Sequence, residues 1–292
     1  MQQTYKKNGP VVIGGIGGSG TRVVAEILLR FGFYLGDDLT STARDNLWYT
    51  LLFVRQNWYY KNRNNKQAIY TGLSLLSKAM ITKRIPSPPE LEFLRQAVVP
   101  LRGSRSFRPV IKRFKQAWKM PIADSHKELD YVGWGWKEPN SYLLIRDMAE
   151  YFDNFKYIHV IRHGLDMAFS GNQRQLFRWG PLYGVEIPKS PSGVPVASLR
   201  YWVKANRYAL RAGKKLGHEK FLLVNFDQLC KSPESEIQKI ISFLKISPSR
   251  EVYEEALSIS KEPESIGRYR DHNLNQFDSD DLSALQRLGF TI

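Results

Sequence analysis

Residues 10–30, PVVIGGIGGSGTRVVAEILLR, constrain this chain more than any other stretch. A β-branched run (Val11, Val12, Ile13) leads into five glycines and a serine, and an apolar pattern at helical spacing follows. Val23, Val24, Ile27, Leu28 and Phe31 recur at three and four residues and so share one helix face. Strand, glycine loop and helix start together make an anion site. Glycines admit a ligand close to the backbone, and the first helical N–H groups have no internal partner and lie at the positive end of the helix dipole. Ser19 and Thr21 add hydroxyls, and Arg22 adds a charge.

The loop alone does not name the anion. Gly15-x-Gly17-x-x-Gly20 fits a dinucleotide fingerprint, with Asp37 and Asp38 near the place of a ribose-binding acid. Gly15 and Gly20 also have P-loop spacing, but Thr21-Arg22 stands where Lys-Ser/Thr is required, which disfavours a P-loop kinase or ATPase.

Composition narrows the classes. The 292 residues, 42% hydrophobic, suffice for one large domain with an insertion. A single cysteine, Cys230, excludes an internal disulfide and fits a reducing compartment, so a cytoplasmic location is expected. No apolar run is long enough for a membrane span, no secretory pattern precedes the first strand, and five histidines without a Cys/His cluster predict no metal site. The formal charge of +15 points to an anionic partner. Most of that excess lies in residues 61–119, where fourteen Lys or Arg face two acids. Pro86, Pro88 and Pro89 divide this segment, and helical spacing over 67–82 and 90–119 predicts a basic helical insertion, about 55–125.

The remaining elements alternate. A short strand over 32–38 is predicted to end in Asp37-Asp38, followed by a buried helix over 46–57. The run Tyr131–Trp136 reads as a strand ending at Lys137, with Pro139 opening a helix over 142–152. Residues 155–161 are the clearest buried strand, running into Arg162, with Ser170 two turns into the next helix. A Pro/Gly-rich acceptor loop (181–195), a long helix (196–216), a strand (221–226), helices near 234–246 and 250–259 and a basic loop at 266–270 complete the chain. This order predicts a three-layer α/β/α domain spanning 1–292, with a central parallel sheet and a P-loop-like nucleotide site.

Several stretches together resemble the PAPS-dependent sulfotransferases, nearer the carbohydrate, tyrosylprotein and bacterial types than the cytosolic small-molecule enzymes. Gly18-Ser19-Gly20-Thr21-Arg22 resembles the 5′-phosphosulfate loop, and Val160-Ile161-Arg162 with Ser170 eight residues on resembles the 3′-phosphate motif. Trp136-Lys137-Glu138-Pro139 is similar to that family's Lys-x-Pro element, residues 223–229 to its later strand, and residues 265–270 to its C-terminal basic loop. The resemblance implies PAPS as donor, with PAP as product. Gly17, Gly18, Ser19, Gly20, Thr21 and Arg22 would hold the phosphosulfate; Arg162 and Ser170, with Arg268 and Arg270, would hold the 3′-phosphate. It further implies Lys137 as the cation at the sulfuryl group, Asp38 as the base, Asp37 as second choice and Glu138 as third, and a hydroxyl acceptor, carbohydrate-like. There are departures: Gly18 stands at the usual leading cation, Arg22 at the usual closing hydroxyl, Asn225 at the usual arginine, and Pro139 where the cytosolic enzymes carry a catalytic histidine. An NAD(P)-dependent Rossmann oxidoreductase and a non-catalytic polyanion-binding protein are the competing readings.

Overall fold

The computed structural model describes residues 9–82, 85–101 and 131–292. Strands β1 (Val11–Gly15), β2 (Phe33–Tyr34), β3 (Gly133–Lys137), β4 (Lys156–Ile161) and β5 (Phe221–Asn225) form one sheet in the order β2-β3-β1-β4-β5. Every pairing is parallel, with Ile13 beside Lys137, Gly15 beside Val160 and Ile161 beside Asn225. The expected α/β architecture is therefore the one adopted.

Both faces of the sheet are covered, and side-chain alternation along the strands decides which residue serves which layer. Val11 and Ile13 of β1, with Ile158 and Val160 of β4, pack against the helices Thr21–Arg30 and Pro233–Leu244. Val12, Tyr157 and Ile161 face the opposite layer, built around Trp136, Tyr142, Trp202 and the long helix Val194–Leu216. The helix face read from the sequence is the buried one: Val24, Ile27 and Leu28 are fully inaccessible. Burial of this kind contributes about 1.5–3 kcal/mol for each large side chain, before conformational entropy is counted.

Several predicted elements differ in extent. The strand after the first helix has two residues, so Asp37 and Asp38 lie beyond it in a loop. The helix expected over 46–57 is two, Leu47–Phe53 and Gln56–Asn62, broken at Val54-Arg55. At the break the Arg55 guanidinium lies 5.0 Å from the Trp58 ring and 5.1 Å from that of Phe93, and burial pushes its pKa down to about 10. Pro139 opens a 3-10 helix, Pro139–Leu144, before the α-helix Ile145–Tyr151.

The described part of the basic segment is not a detached insertion. Helices Lys66–Ser77 and Pro88–Val98 place Ile69, Leu73, Leu76 and Phe93 in the same core as Trp136. The capping box of Ser87 and Glu90, with Ser74 and Lys78 also on the Glu90 carboxylate, ties the two helices together. The positive run from Arg102 to Lys119 lies outside the described residues. The 181–195 loop folds into the 3-10 turns Gly180–Tyr183 and Pro191–Gly193 ahead of the long helix. Among the described residues no helix is long and apolar enough to cross a membrane.

Candidate active site

Because the strands are parallel, their carboxyl ends share one edge, and β1 is the strand at which the winding reverses direction. In open α/β sheets ligands bind there. That edge collects the glycine loop after β1, Lys137 and Glu138 at the end of β3, Arg162 after β4 and Phe226 after β5.

The glycine loop is shaped by backbone that a side chain would obstruct. Gly18 and Gly20 have φ of 95° and 89°, a region that glycine alone enters cheaply. A Cβ on Gly20 would lie 2.0 Å from the Phe226 ring. Gly20 opens the helix Thr21–Arg30 with no side-chain cap, so the N–H groups of the first turn face the edge of the sheet. Ser19 is wholly buried, and its Oγ has no hydrogen-bond partner among the described residues. Thr21 is buried beside it. Gly17 N–H donates to Gln175 Oε1 at 2.8 Å, and Gln175 Nε2 donates to Asn140 Oδ1, which pins the loop to the 3-10 helix after β3. Arg22 is exposed and reaches Thr42 O at 3.3 Å, so its charge lies over the loop 39–46.

Arg162 is the hub of the β4 side. Its Nη2 donates to Ser265 O (2.7 Å) and Ser265 Oγ (2.9 Å), its Nη1 approaches Gly18 O at 3.4 Å, and Asp166 Oδ2 lies 3.8 Å away. The guanidinium rests over the Phe226 ring, burial lowers its pKa, and its Nε has no hydrogen-bond partner among the described residues. Asp166 accepts from Gly267 N–H and Tyr269 N–H, which holds the basic loop against β4. Arg268 is brought close enough for its charge to act on Arg162, while Arg270 packs over Gly267 and Tyr269. Ser170 departs from expectation. The helix after Arg162 is only Gly164–Ala168, so Ser170 lies just past its end, where its Oγ accepts from Asn172 N–H. Asn225 caps the helix Phe226–Lys231 through Asp227 N–H and Gln228 N–H, a local role for the residue found at the usual arginine.

The β3 side differs from expectation in its electrostatics. Lys137 is 2% exposed, and its Nζ donates to Asp45 Oδ1 (2.5 Å) and Ala43 O (2.8 Å). The cation expected to aim into the cleft is already paired. Glu138 is buried and caps Pro139–Leu144, accepting from Asn140 N–H at 2.6 Å and Asn140 Nδ2 at 2.8 Å. Burial, and then the charge of Asp45, push its pKa up to about 7. Asp37 is exposed and lies against the Tyr34 phenol, whose pKa is raised by burial and by that carboxylate. Asp38 accepts from Leu47 N–H through its carbonyl. The cap of the helix Leu47–Phe53 is Asn46, whose Oδ1 takes Tyr49 N–H.

Three of the residues that shape this edge escaped sequence reading. Asp45 and Gln175 sit in stretches without a motif, and Asp166 was visible only as an acid four residues after Arg162.

A parallel-sheet domain with a glycine loop at the carboxyl end of its central strand is the class that fold and edge define. The model of the sulfotransferase family matches residues 10–250, and the chain belongs to that family. Over 98% of this chain and 99% of the other, it is similar to the sulfotransferase domain from the curacin biosynthetic pathway, with 15% identity and a TM-score of 0.51. The sulfotransferase domain of the Synechococcus PCC 7002 olefin synthase gives 13% identity and a TM-score of 0.48, covering 98% and 96% of the two chains. Sulfotransferase STF9 from Mycobacterium avium gives 12% and 0.43, covering 86% and 67%. No curated protein sequence matches.

Proposed function

We propose that this sulfotransferase moves a sulfuryl group from PAPS to the hydroxyl of a polar, carbohydrate-like acceptor in a cytoplasmic setting. The observation that carries the donor assignment is the pair of buried polar atoms without partners beside the glycine loop, Ser19 Oγ and Arg162 Nε. Such atoms are costly to leave unsatisfied, and an anion seated on the loop fits their chemistry. The loop N–H groups, Ser19 and Thr21 would hold the phosphosulfate, with Arg22 at the rim. Arg162, Arg268 and Arg270, with Ser170, would hold the 3′-phosphate, where forked guanidinium donors suit phosphate better than an ammonium does.

The bound nucleotide supplies the sulfuryl group. The protein's own part is electrostatic and positional. Lys137, held by Asp45 and Ala43 O, stabilises negative charge growing on the oxygens around the transferring sulfur. A carboxylate of the loop that begins at Asp37-Asp38 takes the proton of the acceptor hydroxyl, help worth roughly 10²–10⁴-fold.

A thermal-shift comparison tests the donor. PAP should raise the melting temperature and NAD(H) should not; a ligand at a hundredfold excess over its Kd adds about 2.7 kcal/mol. Stabilisation by NAD(H) and none by PAP would replace this reading with the oxidoreductase.

A further inference from the structure

We infer that Asp45 is the carboxylate that takes the proton from the acceptor hydroxyl, and that the loop 39–46 serves to place it beside Lys137. The inference rests on the sulfuryl-transfer reading above and names the residue that reading leaves open.

The Lys137–Asp45 pair is asymmetric. The lysine side chain is 3% exposed and that of the aspartate 26%. Asp45 Oδ1 holds the ammonium, and Oδ2 has no hydrogen-bond partner among the described residues. The cation is sealed beneath while the carboxylate opens outward at the carboxyl edge of the sheet. An acceptor hydroxyl approaching a sulfur held near Lys137 therefore meets this carboxylate.

The loop is tied at many points, so the acid is held rather than merely tethered. Leu39 and Asn46 form an antiparallel bridge, and Asp45 N–H donates to Thr40 Oγ1 at 2.9 Å. Asn46 N–H donates to Lys137 O at 2.8 Å, fixing the loop to the end of β3 next to the lysine. Arg44, in the left-handed region at φ 58°, reaches back to Glu26 at 2.7 Å, and Arg22 reaches Thr42 O. Strain at a non-glycine residue persists only where its surroundings hold it, and it gathers at working sites.

The neighbouring acid does not compete. Both Glu138 oxygens accept from Asn140, and the side chain is buried. Burial and then the charge of Asp45 raise its pKa to about 7, so the two carboxylates lie close enough to act on each other. The charged groups facing Asp45 are thus Lys137 and Glu138 from the end of β3, with Arg44 and Arg22 flanking its loop.

The step balances. The acceptor oxygen forms its bond to sulfur while the bond between sulfur and the bridging phosphate oxygen breaks, and that electron pair leaves with the phosphate. The hydroxyl proton passes to Asp45 and then to water.

The test measures PAP released from PAPS in water and with a panel of simple alcohols and sugars, and separately the reaction of PAP with p-nitrophenyl sulfate. In the second reaction p-nitrophenolate leaves as an ion and needs no proton transfer. Asp45→Asn should keep the PAP thermal shift, lose at least roughly a hundredfold in transfer to alcohols, and fall less than about tenfold with p-nitrophenyl sulfate. Asp38→Asn, measured alongside, should cost less than Asp45→Asn. Full alcohol transfer by Asp45→Asn, the reverse ranking, or equal loss in both reactions would overturn the inference; equal loss would mean that Asp45 only positions Lys137. If Asp45→Asn melts early, Asp45→Glu retains the pairing charge but moves the carboxylate by one methylene. A misplacement of that size should cost up to roughly 10²-fold in alcohol transfer alone, and an unchanged rate would count against the inference. A wild-type protein that neither releases PAP nor is stabilised by it would defeat the sulfuryl-transfer reading itself.

Discussion

The two halves of the sheet edge are prepared in opposite ways. On the β1–β4 side, Ser19 Oγ and Arg162 Nε are buried without partners, and the helix beside them starts without a cap. On the β3 side the buried polar groups are satisfied within the protein: Lys137 by Asp45 and Ala43 O, Glu138 by Asn140. One half leaves buried polar atoms unpaired among the described residues; the other pairs its buried groups internally. Cofactor affinity should therefore reside in the first half and turnover in the second.

Lys137→Ala is the strongest probe of that division. It should lower turnover by roughly 10²–10³-fold, the size of losing one preorganised donor at a developing charge, while PAP affinity measured by calorimetry changes little. A parallel fall in affinity would erase the distinction between the halves. Arg162→Ala should do the converse. Loss of its charge-assisted bonds should weaken PAP binding by about 1.5–3 kcal/mol, with residual turnover recovered at saturating donor; an unchanged Kd would place the 3′-phosphate elsewhere.

The Glu138 carboxyl sharpens the comparison through pH. Its pKa is raised in the folded state from 4.5 to about 7, so the folded protein favours the protonated form. The stability this provides is fully present below pH 4.5 and is lost as pH rises through about 7, a swing of about 3 kcal/mol. Glu138→Gln keeps an acceptor for the Asn140 N–H and removes the ionisation. Urea midpoints between pH 5 and 8 should flatten in this variant, and an unaltered slope would show that the group does not titrate there.

The strand, glycine loop and first helix were legible in the sequence because their parts are contiguous. Strand, glycines, Ser19, Thr21 and the helix face of Val24, Ile27 and Leu28 lie within one run, and local patterns specify such runs. Arg162 at a strand end and the parallel sheet were legible for the same reason. The other half was not. Lys137 and its counterion are separated by 92 residues, and no spacing rule links them. The two-residue β2 and the helix break at Val54-Arg55 also escaped: β2 is short at the edge of the sheet, and apolar periodicity does not mark the break. Ser170 was misplaced because the helix after Arg162 stops at Ala168, and periodicity does not mark that end.

Arg162 also bears on how the site comes into being. Its bonds reach 144 residues back to Gly18 and 103 residues forward to Ser265. Contacts at such separation require closure of long loops and form late in folding. A chain still emerging from the ribosome can build β1, its glycine loop and the first helix, yet it lacks the clamp that joins the loop to the 265–270 segment. The clamp on the glycine loop can thus close only after residues 265–270 have been made.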